Sequence, residues 1–149
     1  MTADADRIAA GVGRGMYARD RAAQALGIDL IEIRPGYARM TMKVRPDMVN
    51  GHDICHGGLI FTLADTAFAY ACNSGNKTTV AQSCVITFLS AARTGDVLTA
   101  TASERNRTRR TGLTEIDVTD QNGKLVAAVR GHSYQIKGEV IPGLGSTDS

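Results

Sequence analysis

The stretch GGLIFTLADTAFAYACN is apolar on nearly every side when wound as a helix, from residue 59 to 72. A helix with no polar face must be enclosed by protein. At this length, and interrupted by Thr62, Asp65 and Thr66, it is too short and too polar to cross a bilayer. Its surroundings therefore have to supply a wall on all sides. One carboxylate, Asp65, sits near its middle, and burying an ionised acid without partners is costly.

The flanking sequence reads as the wall. A helix is expected over residues 4–26, weakened in its first half by Gly11, Gly13 and Gly15. Residues 28–34 and 37–44 form a hairpin around Pro35-Gly36. Strict alternation puts Ala38, Met40, Met42 and Val44 on one face and Tyr37, Arg39, Thr41 and Lys43 on the other, so one face is covered. After the apolar helix, Asn73-Ser-Gly-Asn76 is a stop signal, and four strands fit at about 78–89, 96–105, 112–119 and 124–136. Asn122-Gly123 is a strong hairpin signal between the last two. The simplest enclosure is a curved antiparallel sheet of about six strands wrapped around one long central helix, with an N-terminal helix outside it. This is an α+β hotdog architecture. Residues 1–149 read as a single domain, with 1–20 and 139–149 peripheral or frayed.

A net charge of +2, from 17 basic and 15 acidic residues, gives no strong global field for nucleic acid. Three Phe and four Tyr are too few for a base-stacking platform. Cys55, Cys72 and Cys84 have no CxxC spacing, which disfavours a disulfide framework or a thiolate zinc site, and no metal is expected. The N-terminus lacks an apolar leader core, so the expected compartment is the cytoplasm.

The chemistry concentrates in NGHDICHGG and the helix that follows. Gly57 and Gly58 leave the first helical N–H groups open to close approach, at the positive end of the helix dipole. Such a terminus binds anions and stabilises an oxyanion forming on a carbonyl; the plainer alternative is a tight loop-to-helix junction. Asp65 can act as nucleophile or general base, or be a buried acid satisfied by Thr62 or Thr66. Asn50 can hydrogen-bond the acid or a water, or simply form the Asn50-Gly51 turn. Asp65 lies eight residues beyond Gly57, roughly 12 Å along the axis. One substrate carbon cannot meet both groups of the same chain, so if both act, the acid comes from a neighbouring subunit. Cys55 beside His56 is a poor thiol nucleophile, because adjacent side chains diverge and neither His52 nor His132 has a motif around it. Arg105, Arg107, Arg109 and Arg110 form a basic cluster that suits either solvent or phosphate.

With these residues in view, NGHDICHGGLIFTLADTAFAYACN closely resembles the signature of hotdog acyl-CoA thioesterases of the phenylacetic acid degradation type. The resemblance extends through LGIDLIEIRPGYARMTMKVRPDM on one side and TVAQSCVITFL, GDVLTA, RTRRTG and RGHSYQIKG on the other, roughly residues 20–138. It implies hydrolysis of phenylacetyl-CoA or its ring-hydroxylated relatives to free acid and CoA. It implies no cofactor beyond the CoA of the substrate, and a homotetramer built as a dimer of dimers. By the matching motif Asp65 is nucleophile or general base and the Gly57 amide polarises the carbonyl. Asn50 and His56 fall at orienting or substrate-contacting positions. Gly58 and Thr66 fall beside the substrate, and Arg109, Thr111 and Gly112 near the CoA nucleotide. The chain departs from the pattern at Arg109, where a small residue is usual, and at Leu113-Thr114, where an aromatic is usual. Two rival readings are a hotdog hydratase and a non-catalytic acyl-CoA-binding module. The hydratase needs a histidine shortly after the acid, and none lies between Gly57 and Gly131. A thioesterase for other short or medium acyl-CoAs is the nearer alternative.

Overall fold

The computed structural model describes residues 2–147; residues 1, 148 and 149 lie outside it. In chain order it contains α1 (Thr2–Arg19), α2 (Arg21–Ala25), β1 (Asp29–Arg34), β2 (Tyr37–Lys43), a 3-10 turn (Pro46–Met48) and α3 (Gly57–Asn73). Four strands follow: β3 (Lys77–Phe88), β4 (Val97–Arg107), β5 (Thr111–Thr119) and β6 (Leu125–Glu139). The six strands form one antiparallel sheet in the order β1-β2-β4-β5-β6-β3.

The apolar run becomes α3, and the sheet curls around it so that α3 touches all six strands. Ile60, Leu63, Ala64, Ala67, Phe68 and Tyr70 of α3 are buried. They meet the alternating inward residues of the sheet, among them Met40, Met42, Leu98, Ala100, Ala102, Ile116 and Val118. The alternation expected in β2 is present, with Ala38, Met40 and Met42 buried and their neighbours partly exposed. Small residues at 100 and 102 let the helix lie close to the sheet. This is the hotdog fold read from the sequence.

Two differences from the sequence reading share one cause. The first is the N-terminal helix, which breaks at Asp20. There the backbone leaves helical geometry, one Asp20 carboxylate oxygen accepts the Ala23 N–H at 3.2 Å and the other accepts the Tyr70 hydroxyl at 3.1 Å. A residue that caps α2 cannot also continue α1. The glycines of α1, expected to weaken it, are its contact points. A Cβ on Gly13 would stand 2.9 Å from both Leu30 and Ile33 of β1, and one on Gly15 would stand 2.3 Å from Ile141. The second difference is the tail, expected to fray, which is pinned as far as Thr147. The Asn76 amide donates to the carbonyls of Ile141 (3.0 Å) and Gly145 (2.7 Å) and its oxygen accepts the Ile141 N–H at 2.8 Å. The Thr147 N–H reaches the Gly75 carbonyl at 3.1 Å. Long-range partners hold both segments, and local propensity carries no information about such partners.

Candidate active site

The loop before α3 is braced at both margins. Val49 and Cys55 form an isolated bridge, the Cys55 N–H donates to the Ala92 carbonyl at 2.7 Å, and the His56 N–H donates to Met48 at 2.9 Å. Within it the Asn50 side-chain oxygen accepts the N–H groups of His52 (2.9 Å) and Ile54 (3.4 Å). This is the turn-forming role open to Asn50 from sequence, and it leaves the side-chain amide nitrogen unengaged among the described residues. His56 is the last extended residue, with φ −56° and ψ 133°. Its carbonyl accepts from Leu59 (3.0 Å) and Ile60 (3.2 Å), while its imidazole is exposed.

The N–H groups of Gly57 and Gly58 therefore have no acceptor among the described residues, as expected for the first turn of a helix without a side-chain cap. Gly57 borders a recess of about 390 Å³ that also takes in Asn50, Ile54, Cys55, Ile60 and Phe88. Gly58 faces open space. One terminus thus offers unpaired donors, positive dipole charge and an apolar hollow.

Asp65 lies two turns further along α3, half-buried. The alternative that Thr62 or Thr66 satisfies it fails. The Thr62 hydroxyl donates to the Gly58 carbonyl at 2.8 Å and the Thr66 hydroxyl to the Thr62 carbonyl at 2.6 Å. Among the described residues no charge or hydrogen bond offsets the burial of the Asp65 carboxyl, and burial lifts its pKa above the ordinary value. Its charge also reaches the thiols of Cys84 on β3 and Cys72. Cys72 is pushed up to about 12, first by its own burial, and burial raises Cys55 as well. None of the three thiols is in a setting that makes a thiolate.

The remaining candidates lie at the other end of the helix. Arg109 is exposed in the β4–β5 turn and borders a shallow recess of about 330 Å³ with Arg110 and Lys137. Thr111 pairs its hydroxyl with that of Thr108 at 2.6 Å. Gly112 is buried, and a Cβ there would stand 2.6 Å from the Ser133 hydroxyl oxygen, so packing alone requires glycine. The four clustered arginines divide. Arg107 is 15% exposed and bonds Glu104, Gln135 and the Cys72 carbonyl. Arg105 meets Glu115 at 3.4 Å. Arg109 and Arg110 have no side-chain partner among the described residues. Thus Asn50, His56, Gly57 and Gly58 gather at one end of α3, Asp65 and Thr66 lie two turns in, and Arg109, Thr111 and Gly112 sit beyond its C-terminus.

Phe88 and Cys84 escape the sequence reading. Both lie on the helix-facing side of β3, Phe88 against Gly57 and Cys84 within reach of the Asp65 charge. The alternation Cys84-Ile86-Phe88 was a usable signal for their shared face, but not for what they face.

Comparison with known proteins identifies the family. The thioesterase superfamily profile covers residues 52–127, which include the glycine pair and Asp65. The chain belongs to the thioesterase superfamily. It is 50% identical over 125 residues to the acyl-coenzyme A thioesterase PaaI of Escherichia coli K12, spanning 84% of this chain and 89% of the relative. The solved structure of the E. coli PaaI protein from the phenylacetic acid degradation operon superposes with a TM-score of 0.89 at 47% identity, over 90% of this chain and 97% of that one. A Streptococcus pneumoniae thioesterase protein solved with coenzyme A superposes at 0.77 and 25% identity, over 83% and 98%. Among the described residues of this thioesterase no group of three or more His, Cys, Asp or Glu gathers as a metal site. Among the same residues no helix is long and apolar enough to cross a membrane.

Proposed function

We propose that this thioesterase hydrolyses phenylacetyl-CoA or ring-hydroxylated phenylacetyl-CoA to the free acid and CoA, at sites shared between two copies of the chain. The observation that carries the reading is Asp65, a half-buried carboxylate without a partner among the described residues, on the same helix whose first N–H groups also find no acceptor among them. The thioester carbonyl accepts from the Gly57 N–H, with Asn50 and His56 beside it. Asp65 drives the attack, either directly, forming an acyl-Asp65 anhydride that water then hydrolyses to the free acid, or by taking a proton from the attacking water. The oxyanion forms against the helix terminus, the C–S bond breaks, and the CoA thiolate leaves to be protonated. Arg109 and Arg110 suit the CoA phosphates, and Thr111 and Gly112 shape the turn that presents them.

The two-chain arrangement follows from distance. Gly57 and Asp65 are eight residues apart on one α-helix, so a single carbon meets both only across an interface. β3 supports this, since it is the longer of the two edge strands, twelve residues against six in β1, and among the described residues it pairs only to β6. Val80 and Val85 on it are 43% and 69% exposed. A long exposed edge of this kind is a template for another strand. Antiparallel pairing of β3 with its own copy sets two α3 helices side by side, running oppositely, and a pair of such dimers makes the tetramer. No metal or cofactor enters the scheme, and the expected setting is the cytoplasm.

Thiol release from phenylacetyl-CoA tests the reaction, and sedimentation of the active species tests the assembly. Release of one thiol per thioester by a dimer or larger species is expected. Full activity in a monomer removes the two-chain site, and no release from any acyl-CoA removes the reaction.

A further inference from the structure

Phe88 ends β3 with its ring against the start of α3. Its Cζ and Cε1 atoms stand 2.8 and 3.0 Å from where a Cβ on residue 57 would be. A Cβ at residue 57 would push the ring aside, so the ring as it stands closes one side of Gly57. The same ring is 51% exposed, and it is the one aromatic among the residues lining the 390 Å³ recess at Gly57. The other walls are aliphatic or small, chiefly Ile54, Ile60, Leu89 and Ala92.

A thioester whose carbonyl rests on the Gly57 N–H has two arms. The CoA arm is long and carries phosphates, and an apolar recess of this size does not suit it. The acyl arm is what the recess can desolvate. In an arylacetyl group the ring stands one methylene from the carbonyl. It therefore comes level with a side chain that touches the residue holding that carbonyl. We propose, resting on the thioesterase reading, that Phe88 is the specificity-determining residue for the acyl group, and that its ring selects an aryl over a straight aliphatic chain by ring–ring contact. Aromatic pairs gain beyond the area they bury, and an aliphatic wall supplies the area alone.

The test measures kcat/KM for phenylacetyl-CoA and hexanoyl-CoA in the wild type, Phe88→Leu and Phe88→Tyr. Leucine keeps an apolar wall at the recess, and a melting curve checks that the variant folds. In Phe88→Leu the phenylacetyl-to-hexanoyl ratio should fall roughly three- to tenfold. In Phe88→Tyr, which keeps the ring, it should stay within about twofold of wild type. A ratio unchanged in Phe88→Leu, with both rates lowered together, would mean that Phe88 only packs, and overturns the proposal. A ratio shifted equally by leucine and tyrosine overturns it too. Wild-type protein inactive on both thioesters is a separate outcome, because it defeats the underlying thioesterase reading before any variant is compared.

Discussion

At its C-terminal end α3 leaves almost nothing unmatched. The Asn73 amide donates to the Ala69 carbonyl at 2.8 Å, the Ser74 hydroxyl to Ala71 at 2.8 Å, Arg107 to Cys72 at 2.8 Å, and the Asn76 N–H to Asn73 at 2.8 Å. At the N-terminal end the His56 side chain makes no capping bond, and among the described residues the first two N–H groups have no acceptor and Asp65 two turns on has no partner. Both ends belong to one helix in one sheet, so the difference is not one of general packing quality. Buried or half-buried polar groups are ordinarily matched, and where they are not, a ligand or a reaction is the economical reason. The finished end holds the helix still, and the unfinished end is where chemistry fits.

The largest effect that can break this comparison is at Asp65. Asp65→Asn should lower kcat by at least about a hundredfold in thiol release from phenylacetyl-CoA, the usual range for an acid–base group. Burial raises the folded pKa of Asp65, so the active ionised form is lost as pH falls through a value above that of an ordinary aspartate. The acid limb of kcat against pH should lie correspondingly high. The sign for stability is opposite to that of a salt-bridged acid. The folded state binds this proton more tightly than the unfolded state, so the ionised form weakens the fold at neutral pH and that cost fades on acidification. Asp65→Asn should therefore melt higher than wild type at pH 7, with the gap closing as pH falls. A variant that is inactive but less stable at pH 7 would make Asp65 a structural acid.

Arg107 tests the other end. Its guanidinium holds Glu104 at 3.1 Å and the Cys72 carbonyl in the last turn of α3 at 2.8 Å, with both side chains near 15% exposure. Arg107→Met should destabilise by roughly 2 kcal/mol in urea unfolding, less than the ~3–5 kcal/mol of a fully buried broken pair. The double change Glu104→Met with Arg107→Met should regain most of that loss, since no charge is then left unpaired. At a temperature where all variants are folded, kcat should hardly move. A large fall in kcat at unchanged stability would erase the division of labour between the two ends.

How far sequence reaches is set by the range of the interactions involved. The enclosed helix and the covered face of β2 were legible because apolar periodicity is local and the structure keeps it. The placement of Gly57 and Asp65 on one helix was legible for the same reason. The break at Asp20 was not, because it depends on a carboxylate that also meets Tyr70, fifty residues away. Gly13 looked like a weak point only while Leu30 and Ile33 were out of view. At Asp65 the pattern left two outcomes open, and the rotamers of Thr62 and Thr66 decide between them by donating to backbone carbonyls. Phe88 and Arg107 depend on which strand ends beside which end of α3, and no window of sequence contains that.

The finest test of the unfinished end uses its two glycines against each other. Gly57 is in contact with the Phe88 ring, so Gly57→Ala must displace that ring, and its effect on rate mixes ring movement with substrate contact. Gly58 has nothing within 4 Å of a Cβ position, and its φ is not positive, so alanine fits without strain. In the first turn of a helix the change should stabilise by about 0.5–1 kcal/mol, through better helix propensity and a less flexible unfolded chain. If the open space at Gly58 serves only the fold, Gly58→Ala gives a higher Tm and unchanged kinetics. If a thioester approaches the helix terminus there, the same methyl stands in its way. KM for phenylacetyl-CoA should then rise severalfold while Tm also rises. A rise in stability coupled to weaker substrate use separates a glycine kept for a ligand from one kept for a turn, and we expect that coupled outcome.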